Sequence, residues 1–192
     1  TPALGDGPAR SLREACEAAR RAGVRVSCDL NFRAKLWSEA QAQAVMNPLM
    51  EFVDVCIANE EDAEKSLGHK AGTTDVEGAH LDEAGYRELA RSLRTAYGFD
   101  TVAITLRESF SASRNGWSAM LHDGADCADP VRSTRYDIAI VDRVGGGDSF
   151  ASGLICGLLR ESDTRRALEF AVAASCLKHT IPGDFNLVRE EE

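Results

Sequence analysis

The residues best suited to chemistry are three consecutive glycines, Gly145, Gly146 and Gly147, followed directly by Asp148. An apolar run precedes them and a segment rich in Ala, Gly and Leu follows, which predicts a strand, a turn and a helix. Glycines leave backbone N–H groups uncovered at the positive end of that helix, so the segment predicts an anion site. Asp148 beside it suits a base that takes a proton from a hydroxyl attacking a phosphate. The alternative is a glycine-rich turn with Asp148 as the helix N-cap.

Polar clusters also follow three other apolar runs of the sequence. Helices alternate with these short runs, a pattern typical of a parallel α/β sheet, and such sheets bind ligands at the carboxyl ends of their strands. The clusters therefore predict one site at one edge of the sheet. Their members are Asp29, Asn31 and Arg33, then Asn59, Glu60, Glu61 and Asp62, then Thr105, Arg107 and Glu108.

The elements that must position these residues follow from the hydrophobic pattern. Polar residues 107–116 are expected to form a turn and residues 68–81 a loop. The sequence contains no internal repeat or low-complexity linker, so residues 1–192 are predicted to lie in a single domain. Helices are predicted at 9–22, 38–52, 81–97, 147–160 and 163–178, with a short one ending at 67, and strands at 24–30, 53–58, 101–106, 117–121 and 137–141.

The composition bounds the class of protein and its partners. Of the 192 residues, 44% are hydrophobic and 28% charged, which is ordinary for a globular protein. A net charge of −9 without a basic stripe argues against a nucleic-acid partner. No apolar run approaches the roughly 18 residues of a membrane span, so no membrane partner is expected. Six cysteines without metal-site or disulfide spacing favour free thiols and a cytoplasmic location.

Five segments together resemble the ribokinase-like (PfkB) carbohydrate kinase family, in particular its branch acting on 2-keto-3-deoxygluconate. The resemblance implies an α/β fold with a mostly parallel sheet flanked by helices. This chain would be the C-terminal portion of that domain, without its N-terminal segment and lid. The segments are Asp29-Leu30-Asn31-Phe32-Arg33 with Leu36-Trp37, Asn59-Glu60-Glu61-Asp62, Thr105-Leu106-Arg107-Glu108-Ser109, Gly145-Gly146-Gly147-Asp148, and Lys178-His179-Thr180-Ile181-Pro182-Gly183-Asp184-Phe185.

The resemblance implies a kinase that uses ATP and Mg²⁺ to phosphorylate the terminal hydroxyl of an acid sugar, with Asp148 as general base. Thr105 and Arg107 would face the ATP phosphates, and a turn over residues 109–116 would lie near the adenosine. The backbone amides that would stabilise the transferred phosphoryl oxygens belong to Gly145, Gly146 and Gly147.

Arg33 fits a clamp for the carboxylate of the sugar, because a planar guanidinium pairs with a carboxylate through two parallel bonds. Asn31 would bond the sugar or the nucleotide phosphates, and Asp184 corresponds to an aspartate that contacts the sugar in relatives. The alternatives are an arginine on the surface of a loop and an aspartate in a simple turn. Asp29 either ends its strand or orients Arg33.

Asn59 and Asp62 occupy the family's N-x-x-E positions, which the resemblance links to magnesium and phosphate placement. Asp62 replaces the usual Glu, so its shorter side chain would reach Mg²⁺ through a water molecule. Glu61 is an alternative to Asp62 as the carboxylate that contacts Mg²⁺. The other interpretation is a helix N-terminus, where acidic residues are favourable without a metal.

Two positions depart from the family's glycine motif, D-T-x-G-A-G-D. Arg143 stands in place of Thr, where it would lie either beside the phosphates or exposed in a loop. Gly146 stands in place of Ala, a mild change that increases backbone freedom. His179 follows the last predicted helix, where its position favours a C-terminal cap over a catalytic role.

Two other functions stay open. One is a catalytically incomplete fragment that binds nucleotide or an anion, and the other is a ribokinase-like kinase for a different sugar. A homo-oligomer is also left open, because lid-mediated dimers are common in the family and the lid would lie outside this chain.

Overall fold

The fold was obtained as a computed structural model that describes residues 2–71, 82–124, 129–160 and 163–189. Within these ranges, none of the helices has the length and apolar character to cross a bilayer. The helices are α1 (Asp6–Arg21), α2 (Glu39–Leu49), α3 (Glu60–Leu67), α4 (Glu83–Tyr97), α5 (Gly146–Arg160) and α6 (Thr164–Lys178), with 3₁₀ turns at Pro2–Leu4 and Met50–Phe52. The strands are β1 (Ser27–Asp29), β2 (Val55–Ala58), β3 (Thr101–Ser111), β4 (Arg114–Asp123), β5 (Val131–Arg132) and β6 (Tyr136–Ala139).

The strands form one mixed sheet, which confirms the predicted α/β class. Strands β1, β2 and β3 are parallel, whereas β4 pairs antiparallel with β3, β5 and β6. Because β4 is antiparallel to both β3 and β6, strand β6 runs in the same direction as β3. The carboxyl ends of β1, β2 and β6 therefore point to the same edge of the sheet.

The turn predicted over residues 107–116 is wrong. Strand β3 continues past Ile104, which pairs with the last residue of β2, to Ser111, and β4 begins at Arg114. Polar residues in this stretch belong to a hairpin whose backbone groups pair with each other, so strand structure does not require an apolar side-chain pattern there.

Helices cover both faces of the sheet, so side chains that point to either face are buried. Along β2, Cys56 and Ala58 pack on the side of α2, α3 and α4, while Val55 and Ile57 pack on the side of α5 and α6. Two helices have well-formed caps. Ser38 caps α2 through a reciprocal bond pair with Gln41, and α4 ends at left-handed Gly98.

Helices α5 and α6 approach each other unusually closely. A Cβ placed on Gly153 would lie 2.9 Å from the Cα of Ala171, and one on Gly157 would lie 2.7 Å from the Cα of Ala167. Only a glycine leaves room for backbone at these distances, so the two helices contact each other directly along their main chains.

Candidate active site

The predicted polar clusters meet at one edge of the sheet, with one exception. Asn31 and Arg33 follow β1, Asn59 and Asp62 lie where β2 passes into α3, and residues 145–148 follow β6 at the start of α5. The exception concerns the third cluster, because Thr105, Arg107 and Glu108 lie within β3 and not after it, although Arg107 still reaches the cavity at this edge.

A cavity of about 860 Å³ opens at this edge and is strongly cationic, although the whole chain carries a net charge of −9. Four basic side chains line it, against the carboxylates of Glu61 and Asp62. Such a lining favours a ligand with several negative charges. The basic residues are Arg33, Lys35, Arg107 and Arg143, and the wall also includes Asn31, Phe32, Asn59, Trp117, Gly147 and His179.

The glycine loop forms the start of α5. Gly145 has a φ of +79°, and a Cβ on it would overlap the backbone carbonyl of Asp184, so this position requires glycine. The amide of Gly146 donates to the carbonyl of Arg143 at 3.2 Å. The amides of Gly147 and Asp148 lie in the first turn, where no intrahelical acceptor exists, and they are the donors best placed for an anion.

Asp148 is exposed at the start of α5 and lies close enough to β1 to influence its last residue. The pKa of the half-buried Asp29 carboxyl is raised, first by burial and next by the negative charge of Asp148. The positive charge of Arg33 and a bond from the Asn31 backbone act in the opposite direction. Asp29, Arg33 and Asp148 therefore belong to one electrostatic neighbourhood.

Asp184 lies beside the glycine loop in a neighbouring cavity of about 610 Å³, which Gly145 and Asp148 also line. Its segment is held by two side-chain bonds. Asp142 accepts from the Gly183 amide at 2.9 Å, and Asn186 donates to the hydroxyl of Ser149 at 2.6 Å. Neither Asp142 nor Asn186 could be assigned a role from the sequence, because bonds between residues so distant in the chain have no local sequence signal.

Arg33 and Asn31 are exposed at the cavity, in the loop after β1. The guanidinium of Arg33 donates to the carbonyl of Phe32 at 2.9 Å, and Asn31 adopts a left-handed φ of 43°. Thr105 is half-buried in β3, and its hydroxyl lies 3.5 Å from the carbonyl oxygen of Ala58. Arg107 is two residues further on the same side of the strand.

Asn59 and Asp62 do not fit direct magnesium ligands. The side-chain oxygen of Asn59 caps α3 by accepting from the Asp62 amide at 2.7 Å, and Asp62 accepts from the Phe32 amide at 2.8 Å. Among the described residues, no group of three or more His, Cys, Asp or Glu side chains could hold a metal ion. Contact with Mg²⁺ through water stays a prediction. Burial raises the pKa of Asp62 to about 6, although the bond from Phe32 acts to lower it.

His179 is the C-cap residue of α6, as predicted, and it also lines the cavity. Its Nδ1 donates to the carbonyl of Ser175 at 2.7 Å, and its ring lies 5.0 Å from that of Trp117. Burial is the main cause of a lowered pKa for this imidazole, with help from Lys178 and Arg143. Arg143 itself donates to the carbonyl of Ala112 at 2.8 Å.

Known proteins of one family resemble this chain. The sequence model of the pfkB family carbohydrate kinases matches residues 4–188. The chain belongs to this family. Its similarity to the 2-dehydro-3-deoxygalactonokinase of Haloferax volcanii is 30% identity over 192 residues, covering 100% of this chain and 53% of that protein.

Solved structures of family members show the same fold. The 2-dehydro-3-deoxygluconokinase of Thermotoga maritima superposes with a TM-score of 0.88 at 50% identity, covering 98% of this chain and 54% of that one. A ribokinase II of Escherichia coli, solved with ATP and Mg²⁺, superposes with a TM-score of 0.67 at 17% identity, covering 95% and 51%. The chain thus spans about half the length of these PfkB kinases.

Proposed function

We propose that this PfkB chain carries the catalytic base and the anion site of a kinase for 2-keto-3-deoxy acid sugars, 2-keto-3-deoxygluconate first among them. The observation that carries the proposal is a cationic cavity lined by Arg33 and by Gly147 in the first turn of α5, with Asp148 at the next residue and in the wall of the neighbouring cavity. The names of the 50% and 30% identical relatives point to the same substrate class.

The reaction follows from these groups. Asp148 accepts the proton of the terminal sugar hydroxyl as its oxygen bonds to the γ-phosphorus and the bond to ADP breaks. The amides of Gly147 and Asp148 hold the phosphoryl oxygens, with Arg107 and Arg143 supplying positive charge nearby. Arg33 pairs with the sugar carboxylate, and Asn31 and Asp184 bond its hydroxyls. Mg²⁺ supplies charge neutralisation on the phosphates when bound with ATP, and a water-mediated contact to Asn59 and Asp62 is part of the proposal.

The proposed cellular setting is the cytoplasm. The five described cysteines (Cys16, Cys28, Cys56, Cys156 and Cys176) are free thiols, as a reducing compartment allows. Cys127 lies outside the described residues.

The test is ADP release by the chain with ATP, Mg²⁺ and 2-keto-3-deoxygluconate, for the wild type and for Asp148→Asn. Loss of the base should lower kcat by roughly 10²–10⁴-fold, the usual contribution of a general base. Asp137→Asn, which removes an exposed carboxylate paired with Arg114 and Arg135, controls for the loss of one charge. Sugar-independent release, or equal rates for Asp148→Asn and wild type, would contradict the proposal.

Two comparison substrates address the alternatives. 2-Keto-3-deoxygalactonate tests the neighbouring substrate named by the Haloferax relative, and a neutral hexose tests a kinase for another sugar. Binding of ATP with no turnover on any sugar would favour a fragment that binds nucleotide only.

A further inference from the structure

The carboxylate of Asp62 bonds a loop that is distant in the sequence. Its Oδ1 accepts from the backbone amide of Phe32 at 2.8 Å, which links α3 to the loop after β1. Both residues are buried, Asp62 at 9% exposure and Phe32 at 8%. A bond with an ionised acceptor is shorter and stronger than a neutral one, so this contact ties the two segments together effectively at neutral pH.

The backbone of Phe32 is bonded on both sides of its Cα atom. While its amide donates to Asp62, its carbonyl accepts from the guanidinium of Arg33 at 2.9 Å. The amide of Leu36 then closes a turn on the carbonyl of Arg33, also at 2.9 Å. Lys65, one turn after Asp62 on α3, places its ammonium 5.5 Å from the centre of the Phe32 ring. The position of Arg33 therefore depends on the contacts that α3 makes with Phe32, the residue before it.

The loop needs such an anchor, because its backbone departs from the ordinary region just before Phe32. Asn31 has a φ of 43°, the left-handed conformation that residues other than glycine rarely adopt, although asparagine tolerates it better than most. The next residue, Phe32, donates to Asp62, and this bond fixes the backbone directly after the left-handed Asn31.

We propose that Asp62 is a positioning residue for substrate selection, whose bond to the Phe32 amide sets Arg33 to receive the carboxylate of the sugar. This inference rests on the proposed function, since it assigns a role in acid-sugar binding. It differs from the magnesium role that the N-x-x-E resemblance implies, because Asp62 would act through the backbone amide of Phe32.

The test is calorimetric binding of 2-keto-3-deoxygluconate with neither ATP nor Mg²⁺ present. Asp62→Ala should weaken binding roughly tenfold or more, the scale of a lost hydrogen bond to a charged group. Asp62→Asn keeps an oxygen that accepts from Phe32, so its affinity should stay within about threefold of the wild type. Glu64→Ala, which removes another α3 carboxylate that pairs with Lys70, is the matched control. A magnesium role predicts unchanged metal-free binding in all three variants.

Amide hydrogen exchange at Phe32, followed by NMR, gives a readout that needs no ligand. Exchange should accelerate in Asp62→Ala and stay slow in Asp62→Asn and Glu64→Ala. If Asp62→Ala binds the sugar like the wild type, or if Asp62→Asn loses affinity while Phe32 stays protected, the positioning role is wrong and the kinase proposal stands. If the wild type binds no acid sugar, the proposed function fails and this inference fails with it.

Discussion

Replacement of Gly146 by alanine, the residue usual in the family motif, should destabilise this chain. A Cβ on Gly146 would lie 2.5 Å from Cε1 and 2.7 Å from Nε2 of His179. The imidazole has little freedom to move, because it is 4% exposed, bonds the Ser175 carbonyl at 2.7 Å and packs on Trp117. The glycine is thus a requirement of the neighbouring histidine, and the expectation that it is a mild change is wrong.

The size of the effect follows from two opposing contributions. Forcing one extra methyl group into a packed site costs typically about 1–3 kcal/mol. Alanine recovers up to about 1 kcal/mol relative to glycine in a helix. We therefore expect the free energy of unfolding of Gly146→Ala to fall by about 1–2 kcal/mol, measured by urea denaturation at pH 7.

Gly147→Ala is the matched control, since nothing lies within 4 Å of a Cβ at that neighbouring position. Its stability should equal or exceed that of the wild type. In a His179→Ala background, Gly146→Ala should no longer cost stability, because the ring that blocks the methyl group is gone. Equal stability of Gly146→Ala and Gly147→Ala, or a cost that persists without His179, would refute the reasoning.

Two further predictions concern the cavity. Arg33→Ala should weaken binding of 2-keto-3-deoxygluconate by roughly 2–5 kcal/mol, the scale of a broken charge pair, and leave a neutral analogue unaffected, as calorimetry would show. Burial raises the pKa of Asp62 to about 6, above the value near 3.9 of an unfolded chain, so the folded state binds a proton first as pH falls. Between pH 7 and pH 4, the unfolding free energy of the wild type should therefore rise relative to that of Asp62→Asn by roughly 2 kcal/mol. A difference independent of pH in urea titrations would contradict this.

The sequence was sufficient to predict the fold class and the sheet edge at which the site lies. Arg33 and Asp148 could be placed together because strands that run in one direction end at one edge, and β6 shares the direction of β3. The extent of β3 could not be predicted. Arg107, Glu108 and Ser109 give no alternating apolar pattern, since this part of the strand is held by pairing with β4.

The long-range contacts of the site were also beyond local sequence reasoning. Asp62 and Phe32 are 30 residues apart, and their bond depends on how α3 lies against the loop after β1. The contact between Gly146 and His179 has one sign in the sequence, the glycine where the family motif has alanine. The sequence does not give its reason, which is that the His179 ring occupies the space a methyl group would need.

The direct main-chain contact between α5 and α6 has a mechanical consequence. Where Gly153 and Gly157 meet Ala171 and Ala167, no bulky side chain separates the two helices, so little can repack there. We expect them to move as one solid block, which carries Asp148 at one helix start and leads into Asp184 after the other helix end. The spacing between Asp148 and Asp184 should then stay constant when a ligand binds, whereas the loop that carries Arg33 lies outside this block and can move independently.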